Sequence, residues 1–343
     1  MPAEDEAPRR GIRLEDLAEI AQVSTATVSR ALNDSPLVRE ETKRRIWKLA
    51  REHQYPFRPQ MPAILSGAAA TIAIAIPTPL GRKGSRGDPF FMELIGGVGE
   101  AAREAQCDLV ISHVAPRSFD DLSELVSSSR AEGVIFLGQS FLHERFNALA
   151  GTESRFVVWG ADLPGQRYCS VGSDNIRGGK RATAHLLRLG RKRIAFFGDT
   201  DAPEIMQRYA GYMQALEEAG VALDPALVAP VHFEVESAEE AIERLLAQGV
   251  KLDAVFGASD LIALGAIRGL IRAGARVPED VSVVGYDDVL LARYSHPALT
   301  TISQDMAKAG RLLVSKLMNS STGRDIRSER LPTDLIVRES CGA

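Results

Sequence analysis

Residues 14–33, LEDLAEIAQVSTATVSRALN, contain two short amphipathic segments separated by a break in the helical pattern. Apolar residues recur at helical spacing in the first segment, at Leu14, Leu17, Ala18 and Ala21. The pattern breaks at residues 21–23, and Ser24 then supplies a side-chain oxygen suited to cap a second helix over residues 25–32. Two helices this short bury little apolar surface, so residues 40–53 are predicted to add a third.

This stretch has the pattern of a helix-turn-helix, which places the start of its second helix at base edges in the major groove. The predicted exposed positions of the second helix are Thr25, Ala26, Ser29 and Arg30. Hydroxyl groups suit phosphate oxygens, and Arg30 suits a bidentate contact with guanine. A generic three-helix bundle whose polar face meets only water is the alternative, because helix-turn-helix patterns are degenerate.

Charge is distributed unevenly along the 343 residues. The whole chain carries 41 Lys and Arg against 45 Asp and Glu, a net charge of −4. Residues 8–60, in contrast, contain eleven Lys and Arg against seven Asp and Glu, a surplus of four positive charges. A basic N-terminal region on an acidic remainder favours local contact with DNA.

The three cysteines are widely spaced, and neither a CxxC motif nor a histidine cluster accompanies them. This pattern predicts unlinked thiols in a reducing compartment and no metal site. The polar, acidic N-terminus is unlike a secretory signal, and the most apolar stretch, residues 68–76, is far shorter than the ~18–20 residues of a membrane span. The sequence therefore predicts a cytoplasmic protein without a cofactor.

From residue 71 onward, short β-rich runs, such as residues 228–233, alternate with amphipathic helices, such as residues 238–248. This alternation predicts parallel sheets covered on both faces. It breaks near residues 162–171 and then repeats, which predicts two similar α/β halves with a cleft between them. Because small ligands bind at the carboxyl ends of the strands in such folds, residues just past the strand ends are the candidates for ligand binding.

The string V-S-x-x-T-V-S-R-x-L-N at residues 23–33, followed by Val38, Thr42 and Tyr55, resembles the headpiece of the LacI/GalR family of bacterial transcription regulators. Segments of the second half also resemble the family and follow its order: SDNIRGGKRATAHLLRLGRKRIAFFGD, FGASDLIALGAIRGLIRAGARVPEDVSVVGYDD, HPALTTISQ and LIVRES. The resemblance runs from about residue 14 to residue 340. It implies a helix-turn-helix headpiece, a hinge, a two-lobed periplasmic-binding-protein-like α/β core with parallel sheets, and a homodimer. A dimer is preferred over a tetramer because no leucine-heptad tail is present.

The resemblance also implies the domain boundaries. A disordered arm is expected at residues 1–11, the headpiece at 12–57, the hinge at 58–70 and the effector-binding core at 71–340. The core is expected to divide into an N-subdomain of about residues 71–163 plus 293–323, and a C-subdomain of about residues 164–292 plus 324–340.

The same resemblance implies a repressor that binds a pseudo-palindromic operator and responds to a small effector held between the two lobes. It assigns phosphate contacts to Ser24, Thr27, Ser29, Asn33, Thr42 and Tyr55, and base contacts to Thr25, Ala26 and Arg30. In the family a hinge helix inserts an apolar side chain into the minor groove, and Ile64 occupies that position. Three prolines at residues 56–62 make a stiff linker the alternative to a hinge helix over residues 60–66.

Nine residues near predicted strand ends are candidates for effector binding: Asp88, Phe90, Phe91, Trp159, Arg208, Ser259, Asp260, Asp287 and Gln304. Aromatic faces stack on sugar rings, and carboxylates accept hydrogen bonds from vicinal hydroxyls. The resemblance implies that Arg208 binds effector hydroxyls or carboxylates, the alternative being a solvated residue at a helix start. One phenylalanine is expected in the core, and Asp260 is alternatively a helix cap. The set favours a mono- or oligosaccharide, with purines and sugar acids left open.

The chain lacks the sequence motifs of common enzyme classes. Residues 178–180, GGK, do not form a phosphate loop because position 174 is Asp and position 181 is Arg. Residues 96–99, GGVG, lie within a helical pattern and not in a dinucleotide fingerprint, and G-x-S-x-G does not occur. The sequence therefore predicts a regulator and not an enzyme. A sugar-binding protein without DNA activity and a sugar-modifying enzyme are the alternatives.

Overall fold

The computed structural model describes residues 14–32, 35, 37–52, 70–77, 88–114, 119–127, 131–139, 142–321 and 326–343. The chain separates into two compact units, Met1–Ala69 and Ala70–Ala343. We refer to the three described helices of the first unit as the headpiece and to the second unit as the core.

The headpiece contains α1 (Leu14–Ala21), α2 (Thr25–Leu32) and α3 (Glu40–Glu52). Their apolar faces form one core, which contains Leu17, Ala18, Ala21, Val28, Ala31, Leu32, Ile46 and Ala50. Gln22 adopts a left-handed φ of 50° in the turn between α1 and α2. Arg45 of α3 donates to the carbonyl of Ala21 (2.9 Å), which ties the third helix to the end of the first. The predicted three-helix bundle is confirmed.

The core contains two six-stranded sheets, which define two lobes. In lobe 1 the sheet order is β11 (Glu329–Leu331), β5 (Ser170–Ser173), β4 (Phe156–Trp159), β3 (Gly133–Leu137), β1 (Thr71–Pro77) and β2 (Asp108–Val114). In lobe 2 it is β12 (Asp334–Ile336), β10 (Thr300–Ser303), β9 (Ser282–Asp287), β8 (Ala254–Gly257), β6 (Ile194–Phe197) and β7 (Val228–Ala229). All neighbouring strands are parallel except β10 and β12.

Helices cover both sheets. Lobe 1 carries α4 (Pro89–Glu104), α5 (Phe119–Ser127), α6 (His143–Leu149) and α12 (Met306–Ser321). Lobe 2 carries α7 (Asn175–Arg188), α8 (Pro203–Glu218), α9 (Val235–Ala247), α10 (Asp260–Arg272) and α11 (Leu290–Tyr294). Every residue of β3 and of β9 is buried, as expected for parallel strands covered on both faces. The predicted parallel α/β core is confirmed.

The described chain passes between the lobes after Ser173, after Ser303 and after Leu331, which corrects the predicted subdomain boundaries. Residues 164–173 were expected in the second subdomain, but β5 pairs with β4 and β11 of lobe 1. Residues 293–303 were expected in the first, but β10 pairs with β9 of lobe 2. Within residues 324–340, β11 likewise belongs to lobe 1. Local periodicity predicts a strand, whereas hydrogen bonds between distant segments decide which sheet it joins.

Two element predictions need smaller corrections. A strand was predicted over residues 228–233, but β7 contains only two residues, and α9 begins at Val235 instead of at the predicted residue 238. The prediction that residues 96–99 are helical is confirmed by α4. A Cβ atom added to Gly97 would lie 2.3 Å from the carbonyl oxygen of Met306, so this glycine permits close packing of α4 against α12.

Within the described residues, no helix combines the length and apolar character required to cross a membrane. The same residues contain no cluster of three or more His, Cys, Asp or Glu side chains suited to a metal ion.

Candidate DNA-binding and ligand-binding sites

The exposed face of α2 carries the predicted base-contacting side chains. Thr25, Ala26 and Arg30 are exposed, whereas Val28 lies in the headpiece core. Ser24 begins the helix by accepting a hydrogen bond from the Thr27 amide (3.1 Å). This geometry leaves the N-terminal end of α2 open to a large partner.

The predicted phosphate-contacting residues differ in their surroundings. The hydroxyls of Ser24 and Thr27 lie 2.8 Å apart and hydrogen bond to each other. Ser29 and Thr42 are half-buried. The remaining predicted residues, Asn33, Tyr55 and Ile64, lie outside the described residues, as does most of the predicted hinge.

Lobe 1 brings an aromatic cluster to the ends of β4 and α4. Asp88 caps α4 by accepting from the amide of Phe90 (3.0 Å). The rings of Phe90 and Trp159 have centroids 6.0 Å apart, and those of Phe90 and Phe91 are 5.5 Å apart. Both phenylalanines are half-buried, while Trp159 is almost entirely buried. The three predicted aromatic residues therefore form one group beside Asp88.

Lobe 2 holds Arg208 in a buried set of polar contacts. This side chain lies one turn and a half into α8 and is only 6% exposed. Its Nε donates to Asn175 (2.9 Å) and its Nη1 donates to the carbonyl of Ala258 (2.5 Å). The guanidinium carbon lies 3.7 Å from the ring centroid of Tyr286, a cation–π geometry. The alternative reading of Arg208 as a solvated residue is wrong.

Glycines allow α8 to approach α7 closely and so position Arg208. A Cβ atom added to Gly179 would lie 2.1 Å from the carbonyl oxygen of Arg208. One added to Gly211 would lie 2.1 Å from the carbonyl oxygen of Ile176. The GGK segment at residues 178–180 therefore serves helix packing, consistent with its exclusion as a phosphate loop.

Asp287, at the end of β9, connects Arg208 with Gln304. Gln304 Nε2 donates to Asp287 Oδ1 (2.6 Å), and Arg208 Nη1 lies 3.5 Å from the same oxygen. Asp287 adopts a φ of 119°, a left-handed backbone conformation uncommon for a residue other than glycine. Such strain is tolerated where the surrounding contacts hold the residue, and here Gln304 and Arg208 hold its carboxylate.

Among the described residues, the charge of Arg208 influences the pKa values of three carboxyl groups. Burial raises the pKa of Asp287 to about 7, against the lowering effect of Arg208, and the charge of Asp88 raises it further. Burial also raises the pKa of Asp88 and that of Glu204, and Arg208 opposes both shifts. Arg208 therefore acts electrostatically on carboxyls from both lobes, and it lies 3.5 Å from Asp287.

Ser259 and Asp260 have structural roles that differ from their predicted contact with effector. Ser259 caps α10 by accepting from the amide of Ile262 (3.3 Å). Asp260 has no exposed surface, and its carboxylate accepts from Thr301 Oγ1 (2.5 Å) and from the amide of Val289 (2.9 Å). Ser259, and not Asp260, is therefore the N-cap of α10. Asp260 instead links β10 to the residue before α11 through these two hydrogen bonds.

Several polar residues beside the site were not among the predicted contacts. Ser173, Asn175, Glu204 and Tyr286 all contact or electrostatically influence predicted site residues. Asn175 and Tyr286 lie within the quoted motifs SDN and GYD, so their motifs were visible in the sequence. Ser173 begins the same SDN motif, and Glu204 precedes Arg208 by four residues on α8, so helical spacing places these two side chains on one face of the helix.

Comparison with known proteins gives matches over nearly the whole chain. The model of the bacterial regulatory proteins, lacI family, matches residues 13–56, and the periplasmic binding protein-like domain matches residues 183–341. The HTH-type transcriptional regulator CelR of Thermobifida fusca is 32% identical over 340 residues, covering 97% of this chain and 99% of CelR. The ribose operon repressor of Haemophilus influenzae is 30% identical, covering 95% of this chain and 98% of the repressor. A solved complex of transcriptional regulator CelR with cellobiose superposes with a TM-score of 0.71 at 30% identity, covering 96% of this chain and 99% of that one.

Proposed function

This chain belongs to the lacI family of bacterial regulatory proteins, and from that premise we propose that it is a transcriptional repressor whose affinity for operator DNA is controlled by a sugar. The observation that carries the proposal is the combination, in one chain, of an exposed recognition helix and a two-lobed core with a polar and aromatic site between the lobes. Because the operator DNA of a bacterium lies in the cytoplasm, we propose that the protein is cytoplasmic.

The headpiece supplies the proposed DNA contacts. Arg30 makes a bidentate contact with guanine, while Thr25 and Ala26 approach neighbouring bases. Phosphate contacts come from Ser24, Thr27, Ser29 and Thr42, together with Asn33 and Tyr55 outside the described residues. Ile64, also outside them, is proposed to wedge the minor groove.

A homodimer presents two copies of α2 to the two halves of a pseudo-palindromic operator. Exposed apolar side chains of the core support this assembly. Leu290, Leu291 and Tyr294 of α11 are 57%, 51% and 79% exposed, and Val110 and Ile111 are exposed on β2. Apolar surface of this kind favours association between copies of the chain.

The chemistry of the cleft supports a neutral sugar as the effector. Phe90 and Trp159 offer apolar ring faces against which a pyranose packs. Asp88 and Asp287 accept hydrogen bonds from hydroxyls, and Arg208 donates to ring or hydroxyl oxygens. Among the described residues, Arg208 acts electrostatically on the carboxyls of Asp88, Glu204 and Asp287, and a cation shared in this way favours a neutral sugar over a phosphorylated sugar or a sugar acid. Cellobiose is the first candidate, since the relative CelR is known in complex with it.

We propose no catalytic role for the cleft carboxyls, because the relatives compared above are transcriptional regulators. Asp88 is occupied in capping α4, and Asp287 is held by Gln304 and Arg208. Incubation of the protein with cellobiose, followed by an assay for glucose, tests this view. Release of glucose at a rate proportional to protein concentration would favour the sugar-modifying enzyme.

A gel-shift experiment with genomic fragments from upstream of neighbouring genes tests the regulator. A sequence-specific shift that changes on addition of cellobiose or another neutral sugar is expected. Thermal-shift measurements with neutral sugars, and with their phosphorylated and uronic acid counterparts, identify the effector class. A melting shift with sugar but no specific DNA binding would instead favour a sugar-binding protein without DNA activity.

A further inference from the structure

Two of the segments that connect the lobes are joined directly to each other. Ser173 is the last residue of β5 in lobe 1, and Gln304 directly follows β10 in lobe 2. The hydroxyl of Ser173 donates to Oε1 of Gln304, and both side chains are buried. The amide of the next residue, Asp174, donates to the carbonyl of Leu331 (2.9 Å), where the third connection begins. The three described connections are therefore one hydrogen-bonded unit.

This unit reaches the proposed sugar site through Gln304. The Nε2 of Gln304 donates to Oδ1 of Asp287 (2.6 Å), and Arg208 lies 3.5 Å from the same oxygen. Arg208 in turn donates to Asn175, which is two residues beyond Ser173 (2.9 Å). The contacts thus form a closed ring that begins and ends in the first connection.

The chemistry of the groups fixes the direction of these hydrogen bonds. Nε2 of Gln304 lies 2.6 Å from Oδ1 of Asp287, and an amide NH2 group can only donate, so Asp287 accepts from Gln304 whether or not its other oxygen carries a proton. The carbonyl oxygen of Gln304 then faces Ser173, whose hydroxyl must donate. A sugar hydroxyl that donates to Asp287 competes with Gln304 for the same oxygen, and any movement of the Gln304 amide is passed to Ser173.

We propose that the Ser173–Gln304 hydrogen bond transmits the occupancy of the sugar site to the connections between the lobes, so that Ser173 is a positioning residue for the regulatory response. The inference rests on the proposed function. The proposed role of Ser173 in the change of operator affinity does not require contact between Ser173 and the sugar. Coupling between two sites requires an element whose arrangement both sites influence, and the hydrogen-bonded connections are that element.

The first experiment requires no sugar. Hydrogen exchange of the peptide that contains the amide of Asp174 is measured in the parent protein and in Asp287→Asn, Ser173→Ala and the double variant. Asp287→Asn weakens the acceptor for Gln304, so exchange at this amide is expected to accelerate at least threefold. With Ser173→Ala present, the same change at residue 287 is expected to add nothing measurable. Equal acceleration in both backgrounds would overturn the proposal.

The second experiment measures operator dissociation constants with and without saturating cellobiose. The quantity compared is the factor by which cellobiose changes the operator dissociation constant. A general loss of folding or of DNA affinity affects both constants equally and therefore cancels in this factor. Ser173→Ala and Gln304→Leu are each expected to reduce the factor at least fivefold, and the double variant no further. Ser173→Thr keeps the hydroxyl and is expected to keep the factor within twofold.

The outcomes distinguish this inference from the proposed function. Reductions that multiply in the double variant, or an unchanged factor in Ser173→Ala, would overturn the role of Ser173 while leaving the repressor intact. If cellobiose does not alter operator binding by the parent protein, the proposed effector is wrong, and the exchange experiment still decides whether Ser173 transmits a change at Asp287. Melting temperatures of all variants verify that each is folded.

Discussion

The headpiece and the core place their proposed functional side chains in opposite environments. Thr25, Ala26 and Arg30 are exposed on α2, whereas Arg208 and Asp287 are 6% and 7% exposed. DNA is a large, highly charged partner that must be met on an open surface. A small neutral ligand gains more from a site with little water, where each hydrogen bond and charge acts more strongly. The difference in burial therefore follows from the difference in ligand.

The two regions also differ in how their geometry is built. The exposed face of α2 depends on one short stretch of sequence and on the eight buried residues of the headpiece core. The proposed sugar site combines residues from position 88 to position 304, supplied by both lobes. We therefore expect changes in the core to affect both folding and ligand binding, and changes on α2 to affect DNA binding alone.

The largest effect is expected from Gly179→Ala in the core. Its added Cβ would lie 2.1 Å from the backbone oxygen of Arg208, so α7 and α8 must separate. Overpacking of this kind costs about 3 kcal/mol, or roughly 6–12 °C in melting temperature, and displaces Arg208 from Asp287. Gly96→Ala is the matched control, because a Cβ there meets nothing within 4 Å and alanine favours the helix. Thermal melts of both variants check this, and equal melting temperatures would show that the α7–α8 contact adapts.

The next effect concerns the buried guanidinium. Arg208→Leu removes the donor to the sugar and leaves Asp287 without its cation, so sugar affinity is expected to fall about 100-fold, or ~2.7 kcal/mol. Arg208→Lys retains the charge without the planar fork and is expected to recover only part of the affinity. Isothermal titration with the sugar found by thermal shift measures both. Full affinity in Arg208→Leu would remove this residue from the site.

A smaller and more selective effect is expected on the recognition helix. Arg30→Ala should weaken operator binding about tenfold and relax specificity at one base pair, since a bidentate contact contributes roughly 1–3 kcal/mol. Sugar affinity measured by titration should stay unchanged. Arg44→Ala, an exposed basic residue of α3, removes the same charge from another surface of the headpiece and serves as the control. Equal loss in the two variants would indicate a general charge effect instead of base recognition.

The smallest expected effect is a pH dependence of core stability. Burial raises the pKa of Asp287 from its ordinary value of 3.8 to about 7, so the folded state binds this proton more tightly than the unfolded state does. Its contribution to stability is therefore complete below about pH 4 and is lost as the pH rises through 7. Asp287→Asn lacks this dependence, so its melting temperature relative to the parent should rise by roughly 2–3 °C between pH 6.5 and pH 8. A difference that stays constant with pH would contradict this.

Sequence reasoning succeeded where the signal is local. The three headpiece helices follow from apolar spacing around Leu17 and Val28, and the buried strands follow from short β-rich runs. It also selected Arg208, Asp287 and Gln304 as candidates, and the structure places both Arg208 and Gln304 against Asp287. Their motifs resemble those of a known family, so their proximity did not have to be derived from the pattern itself.

The subdomain boundaries and the role of Asp260 were predicted wrongly for a common reason. Whether β5 and β10 belong to one sheet or the other depends on pairing with strands distant along the chain. In the sequence, Asp260 has the position of a ligand-binding carboxylate or of a helix cap. In the structure, its carboxylate accepts hydrogen bonds from Thr301 and from the amide of Val289. Neither partner is near it in the chain.

The sequence by itself determined the helix-turn-helix, the parallel α/β class of the core and the family to which the chain is similar, because helical spacing, strand composition and contiguous motifs are properties of neighbouring residues. Only the tertiary structure decided where the chain passes between the lobes and that Ser173 joins Gln304. It also decided that Arg208 acts electrostatically on carboxyls from both lobes. Those arrangements depend on contacts between separate segments of the chain, such as Ser173 and Gln304, which are 131 positions apart, and no local pattern encodes them.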